Sequence, residues 1–152
     1  MSRCDLYIDL DGVILRKTGG QGFNGRPEYE VAPHAMEFLA WCIDQFNCYW
    51  LTSRSHDGSY GGIERAFRHA LPATNLPEDI RHLVRSIQPA PWGKAKIEGI
   101  DTARDFYWID NSPDAASMLA LRDLDMFDRS KLVFTNHRPD DLLRLRKVLE
   151  AL

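Results

Sequence analysis

Short apolar runs alternate with longer amphipathic stretches along most of the chain. The runs at residues 6–8, 48–51, 106–109 and 131–134 are rich in strand-forming side chains and predict buried β-strands. A weaker run at 83–87 carries Arg85 and Ser86, which favour the edge of a sheet. The alternation predicts an α/β fold: a single three-layer, Rossmann-like domain over residues 1–152, built on a five-stranded parallel sheet.

The amphipathic stretches predict the helices between these strands. Pro33 opens a stretch in which Met36, Leu39 and Ile43 form an apolar stripe that Phe46 extends. Further helices are expected at residues 63–71 and 94–99, from an N-cap at Ser112 with Pro113 next to about residue 124, and near the C-terminus, where the stripe is Leu142, Leu145, Leu149 and Leu152.

Two carboxylates and a glycine follow the first predicted strand directly, as Asp9, Asp11 and Gly12. A buried carboxylate is costly unless a cation or hydrogen-bond donors compensate it, so the pair indicates a metal or phosphate site. The alternative is that Asp9 caps a turn through Asp11 and Gly12. The glycine-rich residues 16–27 come next and predict a loop, either a flap over these carboxylates or a plain surface loop.

Polar side chains also follow the other strong strands. Ligands of a parallel α/β sheet bind outside the carboxyl ends of its strands, so these side chains are expected to meet there. Carboxylates, a hydroxyl group and a lysine suit a phosphate bound together with Mg²⁺, because the cation prefers oxygen ligands. Arg54, His56 and Asn136 are near the same edge, but solvated loop positions are favoured for them. The predicted site gathers Asp9, Asp11, Thr52, Ser53, Asp110, Asn111 and Asp114 with one lysine, Lys94 or Lys96.

Composition narrows the possible partners and compartment. The net charge of −3 argues against a general nucleic-acid-binding protein, whose surface is normally basic. The three cysteines have no CxxC spacing, which favours buried free thiols in a reducing compartment. Acidic residues interrupt the N-terminal region, so it does not resemble a signal peptide, and no apolar run approaches the length that spans a bilayer. The sequence predicts a cytoplasmic protein without a membrane partner.

The motifs together resemble those of the haloacid-dehalogenase-like hydrolases, most of which are phosphatases. That family has four motifs, each at a strand end or helix start, and the resemblance covers nearly the whole chain, from residue 4 to about 149. In chain order they are matched by the DLDGV run at residues 9–13, by Thr52, by Lys94 or Lys96, and by Asp110 with Asp114.

The resemblance implies a Mg²⁺-dependent phosphomonoester hydrolase that works through an aspartyl-phosphate. Asp9 would be the nucleophile and Asp11 the general acid and base. Thr52, Ser53 and the lysine would bind the phosphoryl group, and Lys94 is favoured over Lys96 because it is nearer the preceding loop. The implied metal ligands are Asp9, the Asp11 carbonyl and Asp110, helped by Asp114 or Asn111.

The gaps between the motifs are too short for a large cap domain, which implies a minimal cap or none. An open site suits a phosphate on a bulky carrier, or closure by a second copy in a homo-oligomer. Two alternatives stay open: a phospho-receiver signalling domain, and a catalytically idle relative that serves as a binding module. The receiver is disfavoured, because it carries adjacent acids after its first strand whereas this chain has the DxD spacing of Asp9 and Asp11.

Overall fold

The structure of the protein is a computed structural model that describes residues 3–22, 25, 27–71, 75–126, 132–135 and 138–152. A five-stranded parallel sheet forms its centre, which confirms the predicted α/β architecture. The central strand pairs in parallel with a neighbour on each side. In spatial order the strands are β5 (Gln88–Pro89), β4 (Asn47–Trp50), β1 (Asp5–Ile8), β6 (Phe106–Asp110) and β7 (Leu132–Phe134).

Strand β1 is buried at every position because apolar side chains cover both faces of the sheet. Leu6 and Ile8 belong to one apolar cluster, which also contains Trp50. Tyr7 belongs to a second cluster together with Phe106. Successive side chains of a strand point to opposite faces, so the central strand contributes to both halves of the core.

All the described helices except the one at Glu78–Arg85 were predicted, and the predicted ones differ at their ends. Before the first helix His34 has a left-handed φ of 67°, so Pro33 lies in a turn and does not open the helix. At the C-terminal end the predicted stripe is buried except for Leu152, which follows the helix and is exposed. The helices are α1 (Ala35–Gln45), α2 (Gly61–Ala70), α3 (Glu78–Arg85), α4 (Ala115–Asp123) and α5 (Asp141–Ala151).

The predicted edge strand at residues 83–87 is wrong. Helix α3 occupies most of this segment, and the edge strand β5 begins only at Gln88. Glu78 and Asp79 lie in the first turn of α3, where the helix dipole favours negative charge, and Val84 is its buried contact. The amphipathic period of the segment outweighs the short apolar run that indicated a strand.

Two helix starts near the predicted site also differ from expectation. Helix α4 has Asp114 as its N-cap instead of Ser112, and the Asp114 carboxylate accepts the N–H of Ser117 at 2.9 Å. The predicted helix at residues 94–99 is a short 3-10 helix over Lys96–Gly99, which ends at Gly99 as expected. Both shifts matter because each start carries a candidate site residue.

The glycine-rich segment predicted as a loop forms an antiparallel hairpin of β2 (Leu15–Gln21) and β3 (Pro27–Val31). Its register shifts between Lys17 and Gln21, and Gly19 within that irregularity has a φ of 89°, which glycine adopts readily. Arg16 and Glu30 pair across the hairpin at 2.9 Å. Strand β3 contacts α2, so the hairpin is anchored to the core, while residues 23, 24 and 26 lie outside the described ranges.

The thiols of Cys42 and Cys48 are buried, as expected, and burial raises the pKa of both. Cys4 is half-buried. Among the described residues no helix is both long enough and apolar enough to cross a membrane.

Candidate active site

Strands β1 and β6 end side by side, and each delivers one aspartate to the same place. Ile8 pairs with Ile109 in the register of the sheet, and the N–H of Asp9 donates to the Ile109 carbonyl at 3.0 Å. Asp9 and Asp110 are almost fully buried, with 5% and 0% of their surface exposed. Adjacent parallel strands therefore bring together the two acids that the sequence analysis placed at strand ends.

The ammonium group of Lys96 lies between these two carboxylates. Its Nζ is 2.8 Å from Asp110 Oδ2 and 3.2 Å from Asp9 Oδ1. Lys94, which the sequence analysis favoured, is exposed and does not line the site. The structure therefore brings Lys96 to the acids instead of the favoured Lys94, because the 3-10 helix begins at Lys96 and its side chain extends to the sheet edge.

Two buried acids share one ammonium group, so the cluster carries an excess negative charge whenever both acids are ionised. Burial, and next the repulsion from Asp110, raise the pKa of Asp9 to about 8, although Lys96 acts in the opposite direction. Burial alone would lower the pKa of Lys96, but Asp9 and Asp110 outweigh it and the net shift is upward. Lys96 therefore stays charged, and the Asp9 carboxylate is incompletely compensated.

The chemistry of the cluster suits a divalent cation. Asp9 Oδ1 accepts hydrogen bonds from the N–H of Leu10 at 2.8 Å and from Lys96, whereas Oδ2 accepts none from the residues that the structure describes. A cation beside that oxygen would balance the excess charge, and Mg²⁺ commonly takes one or two carboxylates with water and phosphate as its other ligands. The fit is confined to Asp9 and Asp110, since no three acidic, histidine or cysteine side chains of the described part converge.

Asp114 contacts the backbone behind the lysine, and its carboxylate is already used there. Its Oδ1 accepts the Ser117 hydroxyl proton at 2.8 Å and the N–H of Lys96 at 3.3 Å, and its Oδ2 accepts the N–H of Ser117. The Ser117 hydroxyl in turn accepts the N–H of Ile97 at 2.9 Å. Asp114 therefore fixes the chain from which the Lys96 side chain extends, an arrangement different from the metal ligation that was expected.

Thr52 and Ser53 follow β4, the other neighbour of the central strand. Thr52 is fully buried; its Oγ1 accepts the backbone N–H of Arg54 at 3.1 Å, and its carbonyl accepts the indole N–H of Trp92 at 3.0 Å. The Thr52 hydroxyl can still donate its own proton. Ser53 lines the cavity described below.

Asp11 is bound by an arginine for which a solvated position was expected. The Nε and Nη2 groups of Arg54 donate to Asp11 Oδ2 at 2.9 Å and Oδ1 at 3.1 Å, a bidentate pair. The same guanidinium lies over the Tyr29 ring, 5.6 Å from its centroid, and the hydrogen bonds that it donates to Asp11 raise the pKa of Arg54. The sequence signal that could have identified Arg54 is its position immediately after Thr52 and Ser53.

Four of these residues, Asp9, Asp11, Ser53 and Lys96, border a cavity of about 610 Å³ at the carboxyl edge of the sheet. The glycine-rich hairpin forms its other wall, the arrangement that the flap alternative predicts. Gly12 lies between, with a φ of 83°, and a Cβ there would collide with the side chain of Asn111. The lining residues are Asp9, Asp11, Gly12, Ser53, Lys96, Asn111 and Ser112, with Arg16, Lys17, Thr18, Tyr29 and Glu30 from the hairpin.

Of the two remaining candidates, the structure describes His56, which does not line this cavity. His56 is exposed, and its ring packs against Trp92 with 4.1 Å between the centroids. Asn136 lies outside the described residues.

No protein-family model matches the chain, and no curated protein matches it. The resemblance to haloacid-dehalogenase-like hydrolases accordingly rests on the four motifs and on the positions of their residues at the sheet edge.

Proposed function

We propose that this protein is a haloacid-dehalogenase-like phosphomonoester hydrolase. The observation that carries the proposal is Lys96, held between the buried carboxylates of Asp9 and Asp110 at the wall of an accessible cavity. A lysine in this position reduces the repulsion between a carboxylate nucleophile and an anionic substrate. It also provides a charged donor for phosphoryl oxygens.

Asp9 is the nucleophile in this proposal. Its carboxylate attacks phosphorus in line and forms an aspartyl-phosphate, while the bond from phosphorus to the leaving oxygen breaks. Asp11 donates a proton to that oxygen. In the second step Asp11 accepts a proton from water as the water oxygen attacks phosphorus, and the bond between phosphorus and Asp9 breaks to release inorganic phosphate.

Binding of the phosphoryl group falls to Lys96 and to the hydroxyl and N–H groups of Thr52 and Ser53. Mg²⁺ would be held by the Asp9 and Asp110 carboxylates and the Asp11 carbonyl, and when bound it supplies positive charge to the phosphoryl oxygens. Asp114 acts indirectly in this proposal, by holding the backbone of Lys96. Lys94 has no part in it.

The substrate class follows from what covers the site. Between Ser55 and Gly93 the described residues form α2, α3 and the short strand β5, which leaves the β2–β3 hairpin as the structure beside the cavity. A minimal cap of this kind suits a phosphate carried by a bulky molecule, or a site closed by a second copy of the chain.

The decisive experiment measures turnover of p-nitrophenyl phosphate by the full chain. Turnover should require Mg²⁺, stop with a chelator, and disappear in Asp9→Asn. Asp5→Asn is the matched control, because Asp5 is a buried aspartate at the opposite end of β1, paired with Arg104 at 3.0 Å and remote from the cavity lining. It should retain turnover when circular dichroism shows that it is folded.

Other outcomes would contradict the proposal in distinguishable ways. Substantial turnover by Asp9→Asn would exclude Asp9 as the nucleophile. Lasting phosphorylation of the protein by a small phosphodonor, without turnover, would instead indicate a receiver domain. Binding of phosphate with neither phosphorylation nor turnover would indicate an idle relative.

A further inference from the structure

The pair between Arg54 and Asp11 connects two segments that are 43 residues apart in the chain. Both donor nitrogens of the guanidinium fork face the two oxygens of one carboxylate, at 2.9 and 3.1 Å. The pair is not sealed from water, because the side chains of Arg54 and Asp11 remain 37% and 26% exposed. Half-exposed ion pairs of this kind contribute little to stability, so exchange of partners costs little.

The backbone of Arg54 is fixed more firmly than the ion pair between its side chain and Asp11. Its N–H donates to Thr52 Oγ1, and the following N–H, from Ser55, donates to the Thr52 carbonyl at 3.2 Å. Gly62 at the start of α2 approaches so closely that a Cβ there would collide with the Arg54 carbonyl. The turn therefore holds the start of the side chain next to the phosphate-binding candidates Thr52 and Ser53.

The guanidinium group also contacts the wall of the cavity. It lies 5.6 Å from the ring centroid of Tyr29 in β3, and Tyr29 and Asp11 both line the cavity. Contact with the ring restricts the guanidinium to the region between the hairpin and the sheet edge. The guanidinium is therefore held beside two residues that line the cavity.

We propose that Arg54 is a substrate-binding residue that exchanges the Asp11 carboxylate for the phosphoryl oxygens of the substrate. The inference rests on the proposed function, because it takes a phosphoryl group as the ligand of this cavity. In the free protein Asp11 occupies the guanidinium fork. In the complex the fork binds phosphate, and the Asp11 carboxyl group, no longer held by its arginine, lies beside the leaving oxygen.

The balance of charge at the site supports this exchange. Lys96 is already shared by two carboxylates, and Arg16 is paired with Glu30. An incoming phosphate dianion brings a higher charge than the single carboxylate of Asp11, and its oxygens match the same planar fork. The guanidinium therefore favours the phosphate once the phosphate is bound at Lys96.

The exchange can be observed directly by NMR of the arginine Nε–H groups in the full chain. The Arg54 signal is assigned by its loss in Arg54→Lys, and inorganic phosphate is added in the presence of Mg²⁺. The Arg54 signal should shift as phosphate is added and stop shifting when the protein is saturated with phosphate. The internal control is Arg85, which has an equivalent arrangement, paired with Glu64 at 2.7 Å and 5.2 Å from the Tyr60 ring centroid. Neither Glu64 nor Tyr60 lines the cavity, whereas both partners of Arg54 do. The Arg85 signal should stay in place.

Calorimetry of inorganic phosphate binding provides the second measurement. Asp11→Asn removes the competing carboxylate, so phosphate should bind more tightly than to the unmodified protein. Adding Arg54→Lys to Asp11→Asn keeps the charge but removes the fork, and should weaken binding on the order of tenfold. Adding Arg85→Lys instead should leave the affinity unchanged.

Each of three outcomes would overturn the inference. The Arg54 signal does not move at saturating phosphate, Asp11→Asn binds phosphate equally well with and without Arg54→Lys, or the protein does not bind phosphate at all. Its failure is distinguishable from failure of the proposed function. Phosphate that shifts Arg54 in a protein without turnover contradicts the hydrolase and leaves the exchange intact. Turnover that depends on Asp9, with an Arg54 signal that phosphate does not shift, supports the hydrolase and contradicts the exchange.

Discussion

The raised pKa of Asp9 makes the stability of the metal-free protein depend on pH. The folded state holds the Asp9 proton up to a pH of about 8, whereas the unfolded chain releases it near 4, so between these values the folded state binds more protons. The free energy of unfolding should therefore fall as the pH rises from about 4 towards about 8. Urea denaturation with a chelator present measures it.

Asp9→Asn should flatten this dependence, because an amide does not titrate, and at pH 9 the variant should be more stable than the unmodified chain. Asp5→Asn should retain the pH dependence of the free energy of unfolding, because Asp9 is still present. The same fall in stability with pH in Asp9→Asn would assign the titration to another group.

The two neighbouring lysines allow a matched comparison at a single residue. Lys96→Ala removes the ammonium group between Asp9 and Asp110 and should lower kcat/KM on the order of 10²-fold or more, the scale for a lost preorganised contact. Lys94→Ala changes an exposed side chain two positions earlier and should be mild. Steady-state kinetics on an aryl phosphate compares them, and the reverse ranking would contradict the assignment.

The sequence identified the acids of the site better than their partners. Asp9 and Asp110 are determined locally, because each directly follows a strongly apolar strand. The choice of Lys96 depends on Asp114 and Ser117, which fix the start of the 3-10 helix from 18 and 20 residues away. For Arg54 a solvated position was favoured, because its pairing with Asp11 arises only when β1 and β4 lie side by side.

At the scale of elements, the wrong predictions of secondary structure share a cause. Glycine content predicted a loop at residues 16–27, yet the pairing of Arg16 with Glu30 and the contact with α2 stabilise a hairpin around the irregularity at Gly19. A short apolar run predicted a strand where α3 forms. Strong signals such as the run at 106–109 were correct, while weak local preferences yielded to pairing and packing that the sequence does not display.

The start of α2 offers a test of how an element positions the site. A Cβ on Gly62 would collide with the Arg54 carbonyl, whereas a Cβ on Gly61 would meet no atom within 4 Å. Gly62→Ala should destabilise the protein by about 1–3 kcal/mol, the usual cost of overpacking. Because the collision displaces the turn that holds Thr52 and Arg54, it should also lower kcat/KM.

Gly61→Ala is the control for that variant. Alanine in a helix is more favourable than glycine, by a free energy of roughly 0.5–1 kcal/mol. The stability of Gly61→Ala in urea should be unchanged or slightly higher, with normal turnover. Equal effects of the two substitutions would show that the approach of α2 to the Arg54 turn is not what matters.

At the scale of the whole molecule, the site joins strands that are far apart in the chain, so a ligand there stabilises the entire fold. Asp9 follows β1, the Thr52 turn follows β4, and Asp110 ends β6, while the lysine lies on the connection before β6. A ligand that binds only the folded state raises the free energy of unfolding in proportion to the logarithm of its concentration above Kd.

Mg²⁺ should therefore raise the Tm, and more so at pH 8.5 than at pH 6. At the lower pH the cation must displace a proton from Asp9, whose pKa is about 8, whereas at the higher pH the carboxylate is already ionised. Thermal unfolding followed by circular dichroism at fixed Mg²⁺ measures the shift.

Asp9→Asn should abolish both the shift in Tm and its pH dependence, and Asp5→Asn should preserve them. A shift of equal size in Asp9→Asn, or one independent of pH, would mean that Mg²⁺ binds the molecule somewhere other than at the Asp9 carboxylate.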